Sequence, residues 1–250
     1  MTQDLFRQDA YLRECRATVL AISPQGIALD RTVFYPLGGG QAGDSGVLVL
    51  ADGAVLAIAD TRKGKDEAGQ FTGAICHVPA PAAEGAASQL KPGDVVTARV
   101  DWDRRHRLMR FHTTTHLLCH LVPQLVNGCS ITSDYARLDF NMTDPLDKDQ
   151  LTAGIARLVA AGLPVSVGSI SDAELDANPA LVKSMSVQPP RGTGWVRTIR
   201  IGTRDPVDFQ PCGGTHVANT AEIGAVVVTK IEKKSASTRR VVLGFAPAGT

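Results

Sequence analysis

Along the first hundred residues, apolar positions come in short runs with the alternation of half-buried strands. ECRATVLAIS and GIALDRTVFYP read as two strands separated by Pro24-Gln25-Gly26. SGVLVLA and GAVLAIAD flank Asp52-Gly53, a hairpin cue. QFTGAICHV and DVVTARVDW add two more strands. Between these last two, residues 79–93 read as a Pro/Ala/Gly-rich surface loop. Many short strands with regular turns predict a small β-barrel.

The pattern changes near Trp102. In RRHRLMRFHTTTHLLCHLV apolar residues recur at helical spacing. Asp101 or Asp103 can cap a helix that starts at Arg104, and Pro123 limits it to about Leu121. ARLDFNM reads as a strand and DKDQLTAGIARLVAAGL as an amphipathic helix ended by Gly162-Leu163-Pro164. PVSVGSI is a strand, Ser171–Ser186 a short helix with loops, and GWVRTIRIG another strand. Residues 224–232 and 238–246 form a last strand pair joined by KKSAS. Strands and helices without strict alternation define the α+β class. The predicted division is a barrel unit, 1–101, and an α+β unit, 102–250.

Composition narrows the class without naming a function. A hydrophobic share of 44% and a charged share of 20% describe an ordinary globular chain of 250 residues. The net charge of +1 leaves nucleic-acid contact to local patches. Five scattered cysteines argue for a reducing compartment, not a disulfide framework. The N-terminus has charges where a signal peptide is apolar, and no apolar run spans a membrane, so a cytoplasmic location is expected.

Two stretches carry the candidate chemistry: His112-Thr113-Thr114-Thr115-His116 and Pro211-Cys212-Gly213-Gly214-Thr215-His216. Each places two metal-ligand side chains four residues apart. In a helix that is one turn and one face. Gly213 and Gly214 make the second stretch a tight loop instead. The chain has six histidines and five cysteines, and four of these eleven fall in the two pairs. Three imidazoles and a thiolate favour zinc. Thr113 stands where a zinc peptidase has its Glu, so that chemistry is excluded. His120 is a rival ligand on the same helix face. Arg104, Arg105, Arg107 and Arg110 mark the helix start, and Lys230, Lys233, Lys234, Arg239 and Arg240 cluster on the last strand pair.

Gly38-Gly39-Gly40-Gln41-Ala42-Gly43 matches G-x-G-x-x-G, but a strand follows it where a dinucleotide site needs a helix. No Gly-Lys-Ser/Thr follows either. What remains is a flexible loop, or a close backbone approach to a ligand.

HTTTHLL followed by PCGGTHVANTAEIG resembles the editing domain of alanyl-tRNA synthetase and its free-standing AlaX relatives. LDRTVFYPLGGGQAGDSG resembles the glycine-rich segment of the longer AlaX forms, with Ala42 where the family usually has Pro. RLDFN at 137–141 and VRTIRIG at 196–202 extend the resemblance over nearly the whole chain. The resemblance implies a β-barrel unit before a zinc-containing editing unit, with His112, His116, Cys212 and His216 as the zinc ligands. It implies trans-editing: hydrolysis of serine, with glycine as a second substrate, from alanine-specific tRNA, without ATP or a membrane. A monomer is favoured. It also places Gly38, Gly39 and Gly40 over the substrate. The serine hydroxyl is expected at Thr32, with Gln41 second. Arg104, Arg107, Lys233, Lys234, Arg239 and Arg240 are the expected phosphate contacts.

Four protein ligands describe a closed structural zinc site, whereas catalytic zinc keeps a position open. The sequence leaves three arrangements: one loose ligand, expansion to five-coordination, or a metal that only holds the architecture. Asp44, Asp139 and Glu222 are general-base candidates by residue type alone, and the catalytic group is not identified. The rival functions are a structural-zinc RNA-binding module and a cysteine hydrolase using Cys212 and His216.

Overall fold

A computed structural model describes residues 1–87, 89–189 and 194–247. Ser88, in the expected 79–93 loop, and the last residues of the expected second unit, 248–250, lie outside them. The chain is mixed α and β, with strand predominating. It divides into two compact units, Met1–Gly38 with Ala42–His106 and Gly39–Gln41 with Arg107–Thr250.

In the first unit six strands form a ring: β1 (Glu14–Ser23), β2 (Gly26–Leu29), β3 (Gly46–Val49), β4 (Val55–Lys65), β5 (Phe71–Pro79) and β6 (Val95–Val100). The hydrogen-bonded order β1-β2-β5-β4-β3-β6 closes because β6 pairs back onto β1, Arg99 opposite Glu14. Closure removes both sheet edges. The interior is largely aliphatic, with Val19, Leu29, Leu48, Leu56 and Val96, and includes the Phe34 ring. The Asp52-Gly53 turn links β3 to β4, with Gly53 at φ 86°.

Two expectations are corrected here. GIALDRTVFYP is not one strand, because β2 ends at Leu29 and Arg31–Thr32 pair in parallel with Gln3–Asp4. Asp30 breaks the run: its carboxylate accepts from Thr18 N at 2.6 Å, where a regular ladder would use a carbonyl. Nor is 79–93 wholly a surface loop. Ala87 and Leu90 are buried and join the barrel core, since an apolar interior needs covering where its strands end.

A buried ion pair anchors the start of helix α1 (Trp102–Leu121) within the first unit. Arg105 and Asp44 are both fully buried and bound to each other. Arg105 also donates to Ala10 O at 3.0 Å and Val33 O at 2.6 Å, while Asp44 accepts from Tyr35 N at 2.6 Å. Such a pair is tolerable only when its hydrogen-bonding capacity is met. Asp101, not Asp103, caps the helix, accepting from Arg104 N at 3.2 Å.

The second unit holds two sheets. One has the order β12-β13-β8-β7, built from β7 (Val126–Ile131), β8 (Ala136–Asn141), β12 (Val226–Ser235) and β13 (Thr238–Phe245). The other is β9 (Val165–Ser171), β10 (Trp195–Ile201) and β11 (Asp208–Pro211). Helix α2 (Lys148–Ala160) is capped by Asp147, which accepts from Asp149 N and Gln150 N, each at 2.9 Å. Its Gly154 lets Leu121 approach; a Cβ there would lie 2.9 Å from a Leu121 methyl. Helix α3 (Asp172–Ala177) opens on a Ser171–Glu174 capping box. No helix among the described residues is long and apolar enough to cross a membrane.

His77 gives the barrel a pH dependence. Its Nδ1 lies 2.9 Å from Ile27 O, a pure acceptor, so Nδ1 carries the proton and Nε2 accepts from the Thr32 hydroxyl at 2.7 Å. Full burial, only partly opposed by the Ile27 carbonyl, lowers its pKa to about 4. The folded state therefore disfavours the imidazolium. This contribution is fully present above the ordinary value near 6.5 and is lost as pH falls towards 4. Between pH 7.5 and 4.5 the loss is roughly 2–3 kcal/mol. Unfolding free energies at the two pH values should show a smaller drop in His77→Gln than in the unaltered protein; equal drops would contradict this assignment.

Candidate metal centre

Helix α1 continues from Arg107 into the second unit and carries the first pair. His112 and His116 are one turn apart and almost completely buried. The threonines between them tolerate burial because they bond locally. Thr114 donates to Arg110 O at 2.8 Å and Thr115 to His112 O at 2.7 Å. The second pair follows β11. Cys212 begins a loop whose Gly214 lies against the His112 ring; a Cβ there would sit 2.1 Å from His112 Cε1. That contact, not a turn, requires the glycine.

The four donor atoms of His112, His116, Cys212 and His216 lie within 4.8 Å of one another. Cys212 Sγ is 3.4 Å from His112 Nε2 and 3.3 Å from His216 Nε2. His120 is exposed and not part of this group.

Each imidazole is held from its other nitrogen. His112 Nδ1 donates to Gln41 Oε1 at 2.7 Å. His116 Nδ1 donates to Asp208 Oδ2 at 2.8 Å. His216 Nδ1 lies 3.1 Å from Thr113 Oγ1, which also accepts from Val217 N at 3.2 Å. Gln41 is locked in turn: it donates to Thr215 Oγ1 at 2.8 Å and accepts from Thr215 N at 3.1 Å. This arrangement fixes ring orientation and leaves Nε2 for a ligand. Burial would raise the Cys212 thiol, but the neighbouring His112 and His216 outweigh it and hold the pKa well below 9.0. A thiolate is therefore available. Burial disfavours charge on His116, yet Asp208 and then Cys212 push its pKa up to about 9. Burial likewise opposes the Asp208 carboxylate, while His116 and Lys183 bring it down to about 2.

The glycine-rich segment is divided. Gly38 lies in the first unit, where Tyr35 Oη donates to its carbonyl at 2.8 Å. Gly39, Gly40 and Gln41 belong to the second. There Ile131 N donates to Gly40 O at 2.7 Å, and a Cβ on Gly40 would meet Cys129 Sγ at 2.9 Å. Thr32, in the first unit, is buried and also accepts from Phe34 N at 3.0 Å.

Several candidates are engaged elsewhere. Arg239 is buried and its guanidinium is spent on the carbonyls of Ser235, Ala236, Thr238 and Thr143, so it closes the hairpin and is not a free phosphate contact. Arg240 is bidentate to Asp139 at 2.7 and 2.9 Å, so the two candidates are engaged with each other. Asp44 belongs to the Arg105 pair. Glu222 accepts from Ala218 N at 3.1 Å and Asn219 N at 3.0 Å as a capping residue. Arg104 donates to Gly43 O at 3.2 Å, and Arg107 donates to Ser133 O at 2.7 Å while covering the Phe245 ring. Lys233 and Lys234 are exposed.

Asp208 and Lys183 were missed by reasoning from sequence. Asp208 stands four residues before Cys212, a spacing that was the one available signal. Lys183 carried none.

Comparison with known proteins bears on this site. Residues 196–242 match the threonyl and alanyl tRNA synthetase second additional domain, and residues 8–104 match tRNA synthetases class II (A). The chain is 35% identical to the alanyl-tRNA editing protein AlaX-M of Methanosarcina barkeri, over 96% of its own length and 98% of the relative's. It is 30% identical to the protein of the same name from Saccharolobus solfataricus, over 99% and 100%. It is also 31% identical to alanine–tRNA ligase of Pyrobaculum calidifontis, over 98% of this chain and 27% of the ligase.

Proposed function

The chain belongs to the AlaX-M family of alanyl-tRNA editing proteins, and from that premise we propose that it is a trans-acting, zinc-dependent aminoacyl-tRNA deacylase. Its substrate is alanine-specific tRNA mischarged with serine, with glycine as a second substrate. The observation that carries this reading is the convergence of His112, His116, Cys212 and His216. The Cys212–His separations of 3.3 and 3.4 Å are near the edge of about 3.5 Å for a tetrahedron with Zn–N of about 2.0 Å and Zn–S of about 2.3 Å. The donor set suits the metal, and all three rings are oriented for it. When bound, zinc supplies Lewis acidity and orients an ester that is already reactive.

The protein's own residues do the rest. Gln41, Asp208 and Thr113 hold the three rings in place. Cys212 is half-buried and Gly213 exposed, so the cluster is most open at this loop. The Thr32 hydroxyl is fully buried, donating to His77 and accepting from Phe34 N. We assign serine recognition to Thr32, with Gln41 second. A site built to hydrogen-bond a hydroxyl rejects a substrate lacking it by up to about ten-thousandfold.

Purified protein, well below the tRNA concentration, should deacylate Ser-tRNA in multiple turnovers and lose that activity on chelation; added zinc should restore it. Activity that survives complete metal removal, with an acyl group trapped on Cys212, would identify the cysteine hydrolase instead. Thr32→Val should narrow the preference for Ser-tRNA over Ala- and Gly-tRNA while zinc is retained. Unchanged rate ratios for the three substrates would remove Thr32 from recognition.

A further inference from the structure

Of the three partners that hold the imidazoles, only Asp208 is charged, and it is completely buried. A carboxylate in that position needs compensation beyond one imidazole N–H. Gln210 Nε2 donates to Asp208 Oδ2 at 2.9 Å, to the same oxygen that holds His116. The other oxygen, Oδ1, is ion-paired with Lys183 Nζ. Lys183 reaches it from a segment that is itself fixed: Val126 N donates to Lys183 O at 2.8 Å, and Met185 N donates to Val126 O at 2.9 Å. A row of contacts thus runs from Lys183 through Asp208 to His116.

We infer that Lys183 is a positioning residue of the metal centre, which acts through Asp208 to set the orientation of His116. This rests on the zinc reading above. Two effects follow from the contacts. Binding Oδ1 fixes the carboxylate plane, so that Oδ2 faces His116 Nδ1 in one geometry. Neutralising the carboxylate also preserves positive charge at the centre. Zinc with one thiolate and three neutral imidazoles carries one net positive charge, which an uncompensated Asp208 would cancel. Ester hydrolysis builds negative charge on the substrate oxygen, so the compensated site is the better electrostatic partner for it.

The test measures zinc affinity by competition with a chromophoric chelator, alongside kcat and KM for Ser-tRNA. Lys183→Met should weaken zinc binding by about tenfold or more, the usual effect of losing a group that supports a ligand. At saturating zinc it should lower kcat with little change in KM. Lys183→Arg should recover most of both. Because Lys183→Met leaves a buried carboxylate unpaired, a second comparison guards against misfolding. The double variant Lys183→Met with Asp208→Asn has neither charge, and it should bind zinc as Asp208→Asn does alone. Unchanged zinc affinity and kcat in Lys183→Met, whether or not its melting temperature falls, would overturn the inference. So would losses that add in the double variant. A protein with these zinc shifts but no action on Ser-tRNA would refute the proposed function and leave this inference standing.

Discussion

Three imidazoles and a thiolate packed within 4.8 Å are the constraint on which the second unit depends. Such groups do not gather in a protein interior unaided, because each ring has a second nitrogen that must be satisfied. Here the three Nδ1 atoms face three different chemistries: an amide carbonyl, a carboxylate and a hydroxyl. The partners come from separate places in the chain. Gln41 arrives from the glycine-rich segment, Asp208 from β11, and Thr113 from the same helix as two of the ligands. The required tightness explains Gly214, whose missing Cβ makes room for the His112 ring.

Buried polarity in both units follows one rule. Arg105 and Asp44 are fully buried as a pair, and backbone groups of Ala10, Val33 and Tyr35 meet their remaining capacity. His77 and Thr32 satisfy each other inside the barrel unit. Asp208 is shared among His116, Gln210 and Lys183. None of these groups is left alone, which the low dielectric of an interior demands. The same rule accounts for Arg239, whose charge is consumed by hairpin carbonyls although its sequence neighbourhood looks like a basic surface patch.

What was legible in the sequence was local. The helix bearing His112 and His116 announces itself by apolar spacing and by a cap at Asp101 or Asp103, and the structure selects Asp101 and starts the helix two residues earlier than expected, at Trp102. Strand β7 was not legible, since Val126–Ile131 shows no sustained apolar alternation; its strand geometry comes from pairing with β8. Ala87 and Leu90 looked like loop residues because nothing nearby shows that the barrel core needs them. The partners of the imidazoles escaped for the same reason. Asp208 lies 92 positions from His116, and Lys183 another 25 from Asp208, so their roles exist only in three dimensions.

The central claim is that these four side chains form one zinc shell. X-ray absorption at the zinc edge of the purified protein measures it directly. The account predicts a shell of nitrogen at about 2.0 Å with one sulfur at about 2.3 Å, and loss of the sulfur in Cys212→Ser. A protein without zinc, or a shell of light atoms lacking sulfur, would contradict it.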